Sequence, residues 1–141
     1  MITYFDTSAI VPLLIDEATS EHSLILWNAT DEPISSVLVY VETRAALAAA
    51  FRSKRLNKNQ FESSKELFEV LYEKIMEVQV THSLLHRASE LSELLSLRSY
   101  DAVHLASAET VGDDECIFAT YDNRLSSAAN NLGLFAAPLT S

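Results

Sequence analysis

Short apolar runs that stop at a polar residue and pass at once into a helical pattern constrain this chain most. "ITYF" (2–5) ends at Asp6, "EPISSV" (32–37) leads into an alanine-rich stretch, and "CIFAT" (116–120) leads into "DNRL". "MEVQVT" (76–81) alternates apolar and polar residues, and "GLFAAP" (133–138) is a short final run of the same kind. Four to six apolar residues bounded by polar ones is strand length rather than helix length.

The intervening segments read as helices. "TSAIVPLLIDE" (7–17) starts one, with Pro12 near its beginning, where a missing N–H is tolerated. "SEHSLILWNAT" (20–30) is a second. "VYVETRAALAAAFRSKR" (39–55) is a strong one, rich in alanine and with its basic residues gathered at the C-terminal end, where the helix dipole favours them. In "KNQFESSKELFEVLYEKI" (58–75), Phe61, Phe68, Leu71 and Ile75 share a face. "HSLLHRASELSELLS" (82–96), "SYDAVHLASAETV" (99–111), opened by Ser99 as its cap, and "DNRLSSAANNL" (122–132) complete the set. Strands that alternate with helices predict a three-layer α/β/α sandwich around a mostly parallel sheet, built as one domain over 1–141.

Composition narrows the function classes. A hydrophobic content of 48% suits a packed core, and two glycines with three prolines leave little room for long loops. Cys116 stands alone, so no disulfide framework is possible and a reducing cytoplasm is the expectation. The apolar start has no basic segment before it and is interrupted by Asp6 and Asp16. No run approaches the ~20 apolar residues of a membrane span, so no membrane role is expected. A net charge of −10 argues against a passive nucleic-acid binder, but not against an enzyme that meets phosphates through divalent cations. Arg52, Lys54, Arg55 and Lys58 form the one basic cluster: a solvated helix end or a handle for a polyanion.

In open parallel sheets, ligands bind outside the carboxyl ends of the strands. Asp6 follows the first strand, and Thr120 and Asp122 follow "CIFA". Glu42 and Asp101 are expected in first helical turns. Each acid alone has a plain alternative as a helix cap or a partner of the dipole. Four of them at successive element ends converge on one edge if the strands are parallel. Such a set repels itself unless a hard cation such as Mg²⁺ or Mn²⁺ is held between the oxygens.

"YFDTSAIV", Glu42 in "YVETRAAL", "SYDAVHLASA" and "FATYDNRL" resemble, in order and spacing, the four signature segments of PIN domains. A lone domain of this length most resembles the VapC-type toxins of toxin–antitoxin pairs. The resemblance implies a Mg²⁺- or Mn²⁺-dependent ribonuclease. Asp6, Glu42, Asp101 and Asp122 would be its metal-binding acids, Thr120 the hydroxyl beside them and Ser8 a supporting polar group. It also implies an RNA substrate, a small antitoxin protein as partner and a homodimer. Arg44 would touch RNA or pair with an acid, the pairing being favoured.

Two alternatives stand beside this. A PIN-like domain that binds RNA or acts as a scaffold without cutting would not need the full set of acids. A receiver-like signalling domain also gathers acids around Mg²⁺, but it needs a lysine after a late strand, and none follows Lys74. His82 and His86 have zinc-ligand spacing without the glutamate of a metalloprotease motif, so an exposed or half-buried helix face is expected. His104 shares a helix face with Asp101 and is expected to hydrogen-bond in the core. Cys116 reads as core, Trp27 as core or partner contact, and "GDDE" (112–115) as a solvated turn.

Overall fold

The computed structural model describes residues 1–138. Five parallel strands, β1 (Ile2–Phe5), β2 (Glu32–Ser36), β3 (Met76–Val78), β4 (Ile117–Thr120) and β5 (Phe135–Pro138), form one sheet in the order β3-β2-β1-β4-β5. β1 is central: Tyr4 pairs in register with Ile34 on one side and Phe118 on the other. The chain builds outward from β1 to β2 and β3, then returns to place β4 on β1's free side. The carboxyl ends of β1 and β4 are therefore the point where strand order reverses, the place a ligand crevice opens in this kind of sheet.

The strand period of two sorts the core into layers. Tyr4, Ile34, Phe118 and Ala136 face α5 (His82–Leu95), α6 (Ser99–Val111) and α7 (Asn123–Asn131). Phe5 and Ala119 face α1 (Thr7–Ile10), α3 (Leu38–Arg52) and α4 (Lys58–Tyr72), while Trp27 of α2 (Ser20–Ala29) packs on Phe5 with ring centroids 5.4 Å apart. Tyr4 stacks on Phe118 at 5.5 Å. The three-layer α/β/α architecture is the expected one, with every strand pairing parallel.

Three boundaries differ from the sequence reading. The helix after Asp6 ends at Ile10, and a 3₁₀ turn, Val11–Leu13, follows. Pro12 has no N–H to donate to Ser8, so the α-ladder stops there. Arg98, not Ser99, occupies the N-cap position of α6, with extended backbone and no side-chain cap. Glu42 lies in the second turn of α3 rather than the first, because that helix starts at Leu38, directly behind β2.

α6 carries Asp101 near its start and is buried from Ala102 to Ala108. Alanines and Ser107 let it lie close to the sheet, and Gly112 ends it in the left-handed region at φ 67°. Arg87 of α5 clamps its far end, with Nε and Nη2 each 2.8 Å from a Glu109 oxygen. The Arg87 guanidinium holds the Glu109 carboxyl below the usual carboxylate range. An acid depressed in the folded state stabilises the fold above its unfolded pKa, and that contribution fades as pH falls through the folded value. Both groups are partly exposed, so Glu109→Gln should cost at most ~1 kcal/mol at neutral pH. Thermal melts of wild type and variant should converge below the ordinary glutamate value of about 4.3.

Candidate active site

Asp6 directly follows the central strand, and its N–H extends the ladder to the Ala119 carbonyl at 3.1 Å. The residue sits at the N-cap position of α1, yet its side chain makes no cap bond. Instead Oδ1 accepts from the Ser8 hydroxyl at 2.6 Å and Oδ2 from the Thr120 hydroxyl at 2.7 Å. Asp6 is only 4% exposed. Burial pushes its carboxyl above the ordinary range, against the pull of His104 and the two hydroxyls. Ser8 and Thr120 are themselves oriented from behind: Ser8 accepts from the Tyr121 N–H at 2.8 Å and Thr120 from the Asp122 N–H at 3.0 Å. The chain leaving β4 thus locks the carboxylate that leaves β1.

Asp122 answers to both of its earlier readings. Its Oδ1 caps α7, accepting from the N–H groups of Arg124 at 2.9 Å and Leu125 at 3.1 Å. Its Oδ2 is turned to Arg98, 3.6 Å from Nη2. The same guanidinium reaches Asp101 Oδ2 through Nε at 3.2 Å. A cation already lies between Asp101 and Asp122, supplied by the residue that starts α6.

Glu42 belongs to a neighbouring network. Its Oε1 accepts from the Thr7 hydroxyl at 2.9 Å and lies 2.6 Å from His104 Nε2. His104 Nδ1 lies 2.8 Å from the Tyr4 hydroxyl. Thr7 touches both Glu42 and His104, the latter at 3.4 Å, so it does not cap α1.

The expected residues are therefore joined pairwise. Asp6, Ser8, Thr120 and Asp122 form one hydrogen-bonded chain, Asp101 joins Asp122 through Arg98, and Glu42 is tied to β1 by way of His104. Among the described residues, no three acids, histidines or cysteines close around a single point. The four acids are linked through Ser8, Thr120, Arg98, Thr7 and His104 rather than directly to one another.

Sequence reasoning missed three participants. Nothing around Thr7 in the sequence points to Glu42, and the link from His104 to Glu42 spans 62 positions that no local pattern connects. Arg98 carried a signal: an arginine three residues before an acid at a helix start. Arg44 pairs with Glu69 of α4 at 3.4 Å, away from these acids.

The donor set suits a hard divalent cation. It consists of carboxylate and hydroxyl oxygens, and the guanidinium between Asp101 and Asp122 is a stand-in for positive charge at that place. No helix of the described residues is long and apolar enough to cross a membrane. His82 and His86 are exposed on α5.

Residues 3–131 match the PIN domain family. The chain is 39% identical over 137 residues to "Ribonuclease VapC45" of Mycobacterium tuberculosis (strain CDC 1551 / Oshkosh), covering 97% of this chain and 95% of the relative. Its fold is shared with FitAcB from Neisseria gonorrhoeae, at a TM-score of 0.70 and 16% identity over 99% of this chain and 100% of that one. It is also shared with Mycobacterium tuberculosis VapC20, described as a Sarcin-Ricin loop cleaving toxin, at 0.64 and 19% identity over 89% and 94% of the two chains. At those two identities the likeness speaks for the fold alone, but the family match and the full-length relative go further: the chain belongs to the PIN domain family and is of the VapC type.

Proposed function

We propose that the protein is a Mg²⁺- or Mn²⁺-dependent endoribonuclease that hydrolyses RNA phosphodiester bonds as the toxin of a type II toxin–antitoxin pair. The observation that carries this is Asp6: a buried carboxylate, held between two hydroxyls, at the carboxyl end of the central strand where strand order reverses. The ribonuclease relative, alike over nearly the whole chain, supports the same activity. Asp6, Asp101 and Asp122 would hold the metal, with Glu42 beside them. A bound divalent ion would activate a water and offset charge on the scissile phosphate.

The residues of this chain do the positioning. Thr120 and Ser8 fix both oxygens of Asp6. The α7 N–H groups hold Oδ1 of Asp122 and leave Oδ2 directed at Arg98. Arg98 must turn away for Asp101 and Asp122 to receive a metal, and its side chain, 73% exposed, has the freedom to do so. Once displaced, the guanidinium would be free to bind an incoming phosphate through paired N–H groups. Hydrolysis then joins a water oxygen to phosphorus as the bond to the leaving ribose oxygen breaks, and that oxygen takes up a proton.

Asp6→Asn and Asp101→Asn should each lower RNA cleavage by about 10²-fold or more while the protein stays folded. EDTA should abolish cleavage and added Mn²⁺ restore it. Wild-type rates in both variants, with contaminating nuclease excluded, would overturn the reading. The toxin assignment implies growth arrest on expression, relieved by co-expressing a small protein from the neighbouring reading frame. Homodimer formation should appear as twice the monomer mass in light scattering.

A second consequence concerns the metal-free protein. Because burial raises the Asp6 carboxyl, the folded state binds its proton more tightly than the unfolded chain does. The wild type therefore loses stability as pH rises through that range. Asp6→Asn removes the charge, so in EDTA its melting temperature should gain on wild type as pH rises above the ordinary aspartate value of about 3.9. A gap that shrinks with rising pH would contradict the buried-carboxylate picture.

A further inference from the structure

A polar relay crosses the core from β2 to Glu42. The Ser36 N–H donates to the Tyr4 hydroxyl at 3.1 Å, that hydroxyl lies 2.8 Å from His104 Nδ1, and His104 Nε2 lies 2.6 Å from Glu42 Oε1. Tyr4 is fully buried and His104 is 2% exposed. A histidine in an otherwise apolar stretch of α6 ordinarily needs only one partner to be tolerated. This one is held at both ring nitrogens, and the two partners come from the central strand and from α3.

Hydrogen-bond chemistry sets the direction. An ionised carboxylate only accepts, so Nε2 carries the hydrogen toward Glu42. With the ring neutral, Nδ1 accepts from the Tyr4 O–H, whose oxygen accepts in turn from Ser36. Thr7 adds a second donor to the same Glu42 oxygen. Both bonds fall on Oε1, so the relay fixes one oxygen, and among the described residues no protein donor reaches Oε2 to compete with a ligand.

We propose that His104 is a positioning residue for RNA cleavage, holding the Glu42 carboxylate at the carboxyl edge of the sheet through Nε2–H while Tyr4 anchors its Nδ1. This deepens the nuclease reading and rests on it. Both ring nitrogens are engaged by Glu42 and Tyr4, so the histidine is assigned no direct contact with substrate or metal. Its effect passes through Glu42, in the way that partners behind metal-binding side chains usually act.

The test compares His104→Leu, which removes both ring nitrogens, with His104→Gln, whose amide nitrogen reaches the Nε2 position. His104→Leu should lower kcat by about 10- to 100-fold with little change in KM, and weaken Mn²⁺ binding in calorimetry with the metal alone. His104→Gln should recover most of both. In a Glu42→Gln background, His104→Leu should cost little more in either readout, because the route through Glu42 is already gone. Ring ¹⁵N spectra of the wild type should show Nε2 protonated and Nδ1 bare.

Melting curves of both His104 variants separate positioning from folding. Equal losses in the Leu and Gln variants at matched stability, full additivity with Glu42→Gln, or a ring protonated at Nδ1 alone would each overturn the proposal. If Asp6→Asn abolishes cleavage while these results go the wrong way, only the His104 role fails. If Asp6→Asn leaves cleavage intact, the nuclease reading itself fails.

Discussion

Everything at the carboxyl edge depends on keeping one carboxylate buried at the end of the central strand. Removing Asp6 from water is costly, and the cost is met locally by the hydroxyls of Ser8 and Thr120. That arrangement holds only if β1 and β4 keep their register. A slip of one residue would move Tyr4 and Phe5 to the wrong layers, each of which is packed to exclusion of solvent. The hydrophobic layers therefore set the position of the charge, and the hydroxyls make that position tolerable.

β1 also organises two polar networks from residues two apart on the chain. Asp6 leads through Thr120 to Asp122 at the start of α7. Tyr4 leads through His104 to Glu42 on α3. The first network runs along the edge, the second through the core of the α6 layer. Both end on acids that the linear sequence places far from Asp6. A parallel sheet allows this because its strands all finish on the same side, so a short central strand has access to every element that starts there.

The alternation of short apolar runs with helical stretches was enough to specify the layers, because parallel pairing and burial on both faces follow from it. The acids were legible for the same reason: a polar residue that ends a buried run must lie at an edge. What was not legible depended on side-chain direction. Asp122 gave no hint that its two oxygens would divide between capping α7 and facing Arg98. Glu42 shifted by a turn because nothing in "SSVLVY" marks Leu38 as the helix start. Arg98 looked like an ordinary flanking arginine until the fold brought Asp122 beside Asp101. Thr7 gave no signal because its partner, Glu42, lies on another helix.

The charge balance takes on a different meaning once these contacts are known. A net charge of −10 does not draw a polyanion to the molecule as a whole, so on the nuclease reading attraction has to be local. The basic cluster Arg52, Lys54, Arg55 and Lys58 lies at the exposed junction of α3 and α4, where Arg55 pairs with Glu17 at 3.1 Å. That helix runs away from the carboxyl edge, which removes the cluster from the acids themselves. At the edge, the only guanidinium facing two of the acids among the described ion pairs is Arg98. Asp101 and Asp122 without it would repel one another, and with it the three side chains still carry one net negative charge. A divalent ion in its place would cancel the two carboxylates and free the arginine, so that the acids, the ion and Arg98 together would carry one positive charge. The same exchange would then turn an edge that repels phosphate into one that attracts it.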